Sequence, residues 1–403
     1  MARNSTYNIL MYSHDTYGLG HIRRTMAIAS HLRAPGVNIL ILTGSPIAGR
    51  FAFPEQVDFV RIPGMIKKTN EEYLPLSIKI HPRHALDIRQ NIIKATAKSF
   101  QPRLFIVDKE PLGLRKEILP TLRWIRRSLP RTRTVLGLRD IMDDADTIRR
   151  NWEKRGIHRI LETLYTEIWV YGRRDFYDPV AEYGIGESVA RNLHFTGYIP
   201  RKVPPPEEVK RERERHCVRE NERLVVVTTG GGGDGYAVVD AFLSMLEARK
   251  TPAARSRIDR AIIVTGPFMP RDRRASLFKR AKRLGVRAFH FYRQMEKLLA
   301  AADVAVCMGG YNTLCEILSQ GTVPLIVPRE TPRLEQRIRA LAFHRQGLAE
   351  YIPWTALSPE TMGDALDRLL ARPEPYREAI AAFSMTGLAI MRQRLAAFRR
   401  GEP

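Results

Sequence analysis

The sequence has few cysteines, no long apolar run and fewer acidic than basic residues. Its 403 residues include only three cysteines, Cys217, Cys307 and Cys315, which form neither a disulfide framework nor a CxxC metal-binding pair. No run of about 18 apolar residues is present, which excludes a simple membrane-spanning helix. The first residues lead straight into the strand-like Asn8-Ile9-Leu10-Met11 without a targeting signal. We therefore expect a cytoplasmic protein.

The charge balance is strongly basic, because 66 Lys and Arg against 43 Asp and Glu give a net charge of +23. Arginines cluster around a tryptophan and an isoleucine in the segment 123–133, RWIRRSLPRTR. Such a segment can bind nucleic acid, can rest on an anionic bilayer with its apolar residues in the interface, or can be a solvated helix face. No RNP motif or zinc-finger spacing occurs, so nucleic acid is not an expected partner.

Strand-like runs alternate with amphipathic segments along the first half of the chain. Ile22, Met26, Ala29 and Leu32 mark one helix by their spacing. This alternation predicts a parallel, doubly wound α/β sheet. The predicted strands are Tyr7–Tyr12, Asn38–Leu42, Val57–Ile62, Leu104–Val107, Thr134–Leu138, Glu167–Tyr171 and Leu193–Thr196.

The length fits about two domains. The alternation stops in a proline-rich and charged stretch, and it restarts with Leu224–Val227. We therefore predict a first domain over 1–200, a linker over 201–221, a second α/β domain over 222–375 and a helix within 376–403. The fold expectation is two facing Rossmann-like domains with a cleft between them.

The second domain contains a glycine turn placed before a helix. A predicted strand, Asp303–Met308, ends in Gly309-Gly310, and a helix beginning near Thr313 carries Glu316. Glycines let backbone amides approach an anion, and a helix N-terminus carries partial positive charge, so a diphosphate fits here. The Glu316 carboxylate can accept hydrogen bonds from ribose hydroxyls, or it can simply favour the helix dipole.

A second glycine loop opens that domain. The strand-like Val225–Thr229 is followed by contiguous glycines, among them Gly231, Gly232 and Gly233. The amides of such a loop can surround phosphate oxygens, whereas the alternative is a flexible linker. The spacing fits neither the Walker motif nor the dinucleotide fingerprint.

The first domain opens with its own glycine loop, in which Gly18 and Gly20 precede His21, and Arg23 follows. In a doubly wound sheet this loop lies where ligands collect. The His21 imidazole, whose usual pKa lies near neutrality, can take a proton from an acceptor hydroxyl, or it can order the loop.

Acidic residues follow two other predicted strands of the first domain. Asp108 and Glu110 follow Leu104–Val107, and Asp140 follows Thr134–Leu138. They can bind a polyhydroxylated acceptor, hold His21 in one tautomer, or cap helices and form ion pairs. No metal is expected, because the glycine-loop amides can carry the charge of a leaving diphosphate.

The second half resembles a known family. The residues that carry the resemblance are Phe291-Tyr292, Met295, Ala301-Ala302-Asp303-Val304, Cys307, Gly310, Thr313, Glu316-Ile317, Val327-Pro328 and Glu335-Gln336. This pattern resembles the donor half of MurG-type glycosyltransferases, which have the GT-B fold and a glycosyltransferase 28 C-terminal domain.

The resemblance implies a role for each matching position. Phe291 and Tyr292, at the end of the predicted strand Phe289–Tyr292, are expected to frame a nucleotide base, and Glu316 to hold the ribose. The turn of Gly309, Gly310, Asn312 and Thr313 is expected to face the diphosphate, although Tyr311 and Asn312 replace the small or apolar residues usual there. Glu335 and Gln336 are expected to meet the sugar. The last helix is expected to return to the first domain.

The resemblance predicts transfer of a sugar from a nucleoside diphosphate donor to an acceptor, with no further cofactor. The acceptor class includes lipid-linked and polysaccharide acceptors, and an anionic membrane surface is an expected partner. Retaining relatives usually carry two acids eight residues apart in the donor domain. The position eight after Glu316 is Pro324, so the sequence predicts inversion at the sugar carbon. The segment around His21 also resembles PseG-type nucleotide-sugar hydrolases. Hydrolysis, epimerisation, and a non-enzymatic role in binding anions or nucleic acid therefore stay as alternatives.

Overall fold

The computed structural model describes residues 6–14, 20–50, 52–67, 73–249 and 258–402. These form two compact units. The first contains the described residues up to Asp140, together with Ala145–Ile199 and the C-terminal segment from Thr386. The second contains Ile141–Asp144 and Pro200–Met385.

The first unit is built on a parallel sheet of seven strands in the order β3-β2-β1-β6-β7-β8-β9. Its strands, with the antiparallel hairpin β4-β5, are β1 (Tyr7–Ser13), β2 (Val37–Thr43), β3 (Val57–Arg61), β4 (Met65–Lys67), β5 (Tyr73–Pro75), β6 (Leu104–Asp108), β7 (Arg133–Arg139), β8 (Glu167–Tyr171) and β9 (Leu193–Phe195). All seven predicted strands are present with their ends within one residue. Strands β6 and β8 are buried along their length, as expected where helices cover both faces.

The second unit has a parallel sheet of six strands in the order β12-β11-β10-β13-β14-β15. The strands are β10 (Leu224–Thr228), β11 (Arg260–Val264), β12 (Arg287–Phe289), β13 (Val304–Cys307), β14 (Val323–Ile326) and β15 (Glu350–Tyr351). The chain therefore forms two Rossmann-like sheets. In each, the strand order reverses beside the first strand, between β1 and β6 and between β10 and β13. Ligands bind at such reversals in doubly wound sheets.

Helices connect the strands. They are α1 (Gly20–Leu32), α2 (Pro82–Phe100), α3 (Leu119–Ser128), α4 (Ala145–Arg155), α5 (Ile157–Leu164), α6 (Pro179–Tyr183), α7 (Glu187–Ala190), α8 (Pro206–Arg215), α9 (Tyr236–Ala248), α10 (Arg271–Arg283), α11 (Met295–Ala301), α12 (Tyr311–Ser319), α13 (Glu335–Arg345), α14 (Pro359–Ala371), α15 (Glu374–Ala382) and α16 (Gly387–Arg400). Among the described residues, none of these helices is both long and apolar enough to cross a membrane.

Helix α16 packs within the first unit, against α1. Its Arg392 donates a hydrogen bond to the carbonyl of His31 at the end of α1 (2.9 Å), and Phe398 stacks on Trp169 of β8. Its first residue, Gly387, donates to the carbonyl of Tyr198 (3.0 Å). These contacts hold the last helix against the rest of the first unit.

The segment 201–221, expected to be a linker, instead contains α8, which belongs to the second unit. Helix α8 packs against α11, where Lys297 lies 3.0 Å from the Glu208 carboxylate. Arg213 donates to the carbonyl of Ala301 (2.7 Å). The prolines precede the helix rather than interrupt it, because Pro206 is its first residue and proline is tolerated there.

Two predicted strands of the second unit are displaced or shorter than expected. Strand β12 ends at Phe289, so Phe291 and Tyr292 follow the strand instead of ending it. Asp303 precedes β13, and its carboxylate accepts a hydrogen bond from the backbone of Leu224 (2.9 Å) at the start of β10. Helix α12 also begins at Tyr311, two residues before the predicted position.

The basic segment 123–133 does not expose its isoleucine. Ile125 is buried on the inward face of α3 and Trp124 is half-buried, whereas Arg123, Arg126 and Arg127 are exposed. The prediction that both apolar residues could enter a bilayer was therefore wrong for Ile125. The reason is helical geometry, because Ile125 lies on the inward face with Leu122.

Candidate active site

His21 and Asp108 meet at the strand reversal of the first unit. His21 lies on the first turn of α1, which follows β1, and Asp108 is the last residue of β6. The Nδ1 atom of His21 lies 2.5 Å from Oδ2 of Asp108. Because a carboxylate only accepts hydrogen bonds, Nδ1 carries the proton and Nε2 keeps a lone pair. The pair therefore presents an imidazole that can accept a proton.

Arg24, which the sequence analysis did not single out, completes this cluster. Its guanidinium is buried and donates to both carboxylate oxygens of Asp108 at 2.7 and 2.8 Å. It also lies 5.7 Å from the ring centroid of Tyr171. Arg24 stands three residues after His21, so the helical spacing places both on one face of α1. That spacing was the available sequence signal.

Burial and charge set the protonation of the cluster. Burial lowers the pKa of His21 to about 4, although Asp108 acts in the opposite direction. Burial alone would raise the pKa of Asp108, but Arg24 and His21 outweigh it and hold that pKa well below its usual range. Near neutral pH the cluster therefore contains a neutral imidazole beside a carboxylate, which is the form that a general base requires.

Asp140, also predicted to be catalytic, is not the partner of His21. It is fully buried, and its carboxylate accepts a hydrogen bond from the hydroxyl of Tyr198. Its backbone carbonyl accepts one from Tyr183 (3.3 Å). The Nδ1–H group of His21 donates to Asp108, and the Arg24 guanidinium lies 3.1 Å from the same nitrogen. The surroundings of Asp140 therefore indicate a structural role.

The predicted acceptor loop is only partly described. Gly20 is the first residue of α1 and Arg23 lies on its first turn, half-buried. Gly18 lies outside the described residues. Glu110, a further candidate acid, lies 3.3 Å from the Arg155 guanidinium.

The two glycine loops of the second unit meet at Thr313. Gly231 and Gly233 belong to the loop after β10, and the Gly309-Gly310 turn follows β13. A methyl group at Gly230 would lie 3.3 Å from the Thr313 hydroxyl, and one at Gly310 would lie 3.8 Å from it. Both loops therefore adjoin the first turn of α12, at the strand reversal of this sheet.

Close packing requires glycine in both loops. Gly232 has φ +89°, and a Cβ there would lie 2.1 Å from the carbonyl oxygen of Thr265. Gly309 has φ +74°, and its Cβ would lie 2.9 Å from the Ile326 side chain and 3.5 Å from the carbonyl of Gln336. These backbone conformations disfavour any other residue. The loops are therefore held in fixed shapes suited to presenting amides.

The residues predicted to bind the ribose and the sugar all belong to the second unit. Glu316 lies on α12, and its side chain is buried. Glu335 begins α13 and lies 3.5 Å from the Arg329 guanidinium. The side-chain oxygen of Gln336 accepts a hydrogen bond from the backbone of Arg329 (3.1 Å).

Phe291 and Tyr292, predicted to frame the base, differ in their surroundings. Phe291 is 54% exposed. The Tyr292 hydroxyl contacts the imidazole of His216 (2.9 Å) and the Glu212 carboxylate of α8. Burial, followed by Glu212, raises the pKa of Tyr292 to about 12. The Phe291 ring is therefore exposed to solvent, whereas the Tyr292 hydroxyl connects α8 with the segment that follows β12.

Two arginines that the sequence analysis missed support the glycine loops. Arg329 lies 3.4 Å from Asp234, which follows the glycines after β10. The fully buried Arg339 donates to the carbonyl of Gly309 (3.1 Å) and lies over the Tyr311 ring. Tyr311 therefore packs against a buried guanidinium.

Asn312 is the second residue that departs from the family pattern. Its side-chain oxygen accepts a hydrogen bond from Arg201 (3.0 Å).

No group of three or more His, Cys, Asp or Glu residues within the described ranges is arranged to hold a metal ion. The Asp144-Ala145-Asp146 sequence, a metal motif in another fold, falls at the start of α4.

Comparison with known proteins matches most of the second unit, together with the first part of α16, to a family model. Residues 225–394 match the model of the glycosyltransferase family 28 C-terminal domain. Over 88 residues the chain is 38% identical to a UDP-N-acetylglucosamine--N-acetylmuramyl-(pentapeptide) pyrophosphoryl-undecaprenol N-acetylglucosamine transferase of Streptococcus thermophilus, covering 21% of this chain and 25% of that protein. The chain thus spans about a quarter of the length of the curated relatives it matches.

Solved structures are similar over nearly the whole chain. MurG of Acinetobacter baumannii superposes with a TM-score of 0.61 and 12% identity, covering 96% of this chain and 98% of that one. UGT71G1 of Medicago truncatula, solved with UDP-glucose, gives 0.63 and 12%, covering 98% of both chains. The chain has the GT-B fold, and its residues 225–394 match the glycosyltransferase family 28 C-terminal domain.

Proposed function

We propose that the protein transfers a sugar from a nucleoside diphosphate sugar to an acceptor hydroxyl, with inversion at the sugar carbon. The observation that carries the proposal is the hydrogen-bonded pair of His21 and Asp108 at the strand reversal of a GT-B protein. The family match of the second unit supports a nucleotide-sugar donor.

In the proposed reaction His21 is the general base. The acceptor oxygen forms a bond to the anomeric carbon of the donor sugar while the bond from that carbon to the diphosphate oxygen breaks. The acceptor proton moves to Nε2 of His21, and Asp108 stabilises the resulting imidazolium through Nδ1. The nucleoside diphosphate leaves with the electron pair. One displacement inverts the configuration of the sugar.

The second unit supplies the proposed donor site. Amides of the Gly231 loop and of the first turn of α12 would stabilise the leaving diphosphate. Buried Glu316 would accept hydrogen bonds from ribose, and Phe291 would pack on the base. Glu335 and Gln336 would contact the sugar. The named relative and the UDP-glucose complex favour uridine as the base.

Inversion is further supported by position 324. Retaining relatives carry a second acid eight residues after the residue that matches Glu316, whereas Pro324 here lies inside β14, paired with Ala305 of β13. Its side chain has no ionisable group. A double displacement that needs an acid at this position has no residue to perform it.

We also propose that the acceptor is presented at an anionic membrane surface, on its cytoplasmic face. Four exposed large apolar side chains, Leu76, Ile78, Ile80 and Ile88, lie within one short stretch of the first unit. Lys79 and Arg83 are interspersed among them and are also exposed. Apolar residues flanked by basic ones suit an anionic bilayer. This surface, here called the 76–88 surface, replaces the segment 123–133 as the proposed contact.

Product analysis tests the proposed activity. The full chain is incubated with α-linked UDP-sugars and a panel of sugar and lipid-linked acceptors, and the products are identified by mass spectrometry and NMR. We expect a β-linked glycoside and free UDP. Free sugar alone would indicate a hydrolase, an isomerised donor would indicate an epimerase, and absence of turnover would favour a binding protein.

A further inference from the structure

A second histidine lies beside the proposed base. His14 follows β1 directly and is only 6% exposed. Its ring meets that of His21 edge to face, with centroids 5.8 Å apart and an interplanar angle of 79°. The proposed reaction gives His14 no role, and the sequence places no other histidine at a metal-ligand spacing from it.

A buried hydrogen-bond chain fixes the tautomer of His14. Arg89 donates two hydrogen bonds of 2.6 Å to the Glu117 carboxylate. The Tyr12 hydroxyl lies 2.6 Å from the same carboxylate and must donate its single hydrogen there. The oxygen of Tyr12 then only accepts, from the Leu114 amide (3.2 Å) and from Nδ1 of His14 (3.3 Å). His14 therefore carries its proton on Nδ1.

The surroundings keep His14 neutral. Burial lowers the pKa of His14 to about 3; Glu110 and Asp108 oppose this shift, whereas His21 and Lys109 add to it. With the proton on Nδ1, the Nε2 atom has a free lone pair. Neither Nε2 atom, of His14 or of His21, has a hydrogen-bond partner within the described parts of the chain.

Two adjacent imidazoles thus offer two lone pairs at the same strand reversal. One accepting atom is sufficient to remove a proton from one hydroxyl. We propose that His14 binds the acceptor, with its Nε2 atom accepting a hydrogen bond from a hydroxyl next to the one that His21 deprotonates. The acceptor is then a vicinal diol of the kind found on a sugar ring. The inference rests on the proposed function in giving His21 the role of base.

The tautomer is tested first, without any substrate. NMR of the full chain labelled with 15N-histidine reports which nitrogen of each ring carries hydrogen. We expect the Nδ1–H form for His14 in the wild type and loss of that preference in Tyr12→Phe. Tyr165→Phe is the matched control, because the Tyr165 hydroxyl is also buried but bonds to the carbonyl of Pro111. An Nε2–H form of His14 in the wild type would overturn the proposal.

Sugar binding is tested next with methyl glycosides as probes. Methyl glucoside, galactoside, mannoside and N-acetylglucosaminide are titrated while the His14 signals are followed, each beside analogues lacking one ring hydroxyl. We expect at least one glycoside to shift the Nε2 signal of His14, and removal of the hydroxyl next to the attacking one to weaken binding about 3- to 10-fold. Absence of any shift, or equal binding of all deoxy analogues, would overturn the proposal.

Two variants separate recognition from folding. His14→Asn keeps a polar group near the position of Nδ1 but none near Nε2, whereas His14→Gln keeps one near Nε2. We expect His14→Asn to weaken glycoside binding by the same factor as removal of the hydroxyl from the sugar. We expect His14→Gln to bind the glycoside within about 3-fold of the wild type. Equal effects of Asn and Gln would contradict the proposal. Intact binding without transfer would overturn only the proposed function.

Discussion

His21 Nδ1 lies 2.5 Å from Oδ2 of Asp108, although 87 positions separate the two residues in the chain. Strands β1 and β6 bring them together because they pair directly at the strand reversal of the first sheet. The carboxylate orients the imidazole, and Arg24 holds the carboxylate. The proposed reaction depends on this orientation.

Asp108→Asn should lower kcat by about 10²–10⁴-fold, because the amide can donate to Nδ1 and turn Nε2 into the protonated nitrogen. Steady-state transfer assays measure this change. Asp140→Asn is the matched control. It should lower the melting temperature, through a disturbed buried hydrogen bond to Tyr198, while kcat stays within a few-fold. A larger loss of kcat in Asp140→Asn than in Asp108→Asn would contradict the assignment.

Glu316→Ala should weaken binding of the nucleoside diphosphate by about 1.5–3 kcal/mol, because a charged acceptor of hydrogen bonds is lost. Isothermal titration calorimetry with UDP measures it. The control is Glu360→Ala, which removes an exposed acid from the first turn of α14 in the same unit. Unchanged affinity in Glu316→Ala for every nucleoside diphosphate tested would rule out the ribose contact.

Ile78→Asn combined with Ile80→Asn should weaken binding to anionic vesicles, because each isoleucine that enters the interface contributes up to about 1.5–3 kcal/mol. Flotation with phosphatidylglycerol vesicles measures it, and binding should decrease as salt rises. Arg126→Ala with Arg127→Ala is the comparison in the segment 123–133. If that pair abolishes binding and the isoleucine pair does not, the 76–88 surface is not the contact.

Acid should destabilise the first unit below about pH 6.5. The folded pKa values of His14 and His21, about 3 and about 4, lie below the usual value, so unfolding takes up protons. The stability they contribute is present above about pH 6.5 and is lost as pH falls towards those folded values, at up to about 1.4 kcal/mol per pH unit for each group. Urea unfolding from pH 7 to 5 measures it. His14→Gln should flatten the dependence, and an unchanged slope would contradict the burial of a neutral imidazole.

Much of the fold was predictable because parallel strands buried on both faces are continuous apolar runs, as in Leu104–Asp108. The hairpin β4-β5 was missed because strands of three residues carry no pattern. The charge run of α8 lacks an apolar face and therefore predicts a linker, whereas the helix is held by contacts such as Arg213 with Ala301.

The candidate site could be proposed from the sequence only where its residues form local motifs. The glycine loops, His21 and Glu316 stand out by type and spacing. The partners of these residues are distant in sequence and depend on strand order, as for Arg339 beneath Gly309. The chain from Arg89 through Glu117 to Tyr12 joins three separate segments. No periodicity in the sequence signals such a connection.

The kinetics of His21→Ala test the central claim most directly. Transfer is measured under saturating donor and acceptor for the wild type and the variant, with donor affinity determined separately by calorimetry. We expect kcat to fall by about 10²–10⁴-fold while the donor dissociation constant changes little, because the proposed donor contacts belong to the second unit. Turnover of His21→Ala within a few-fold of the wild type would contradict it.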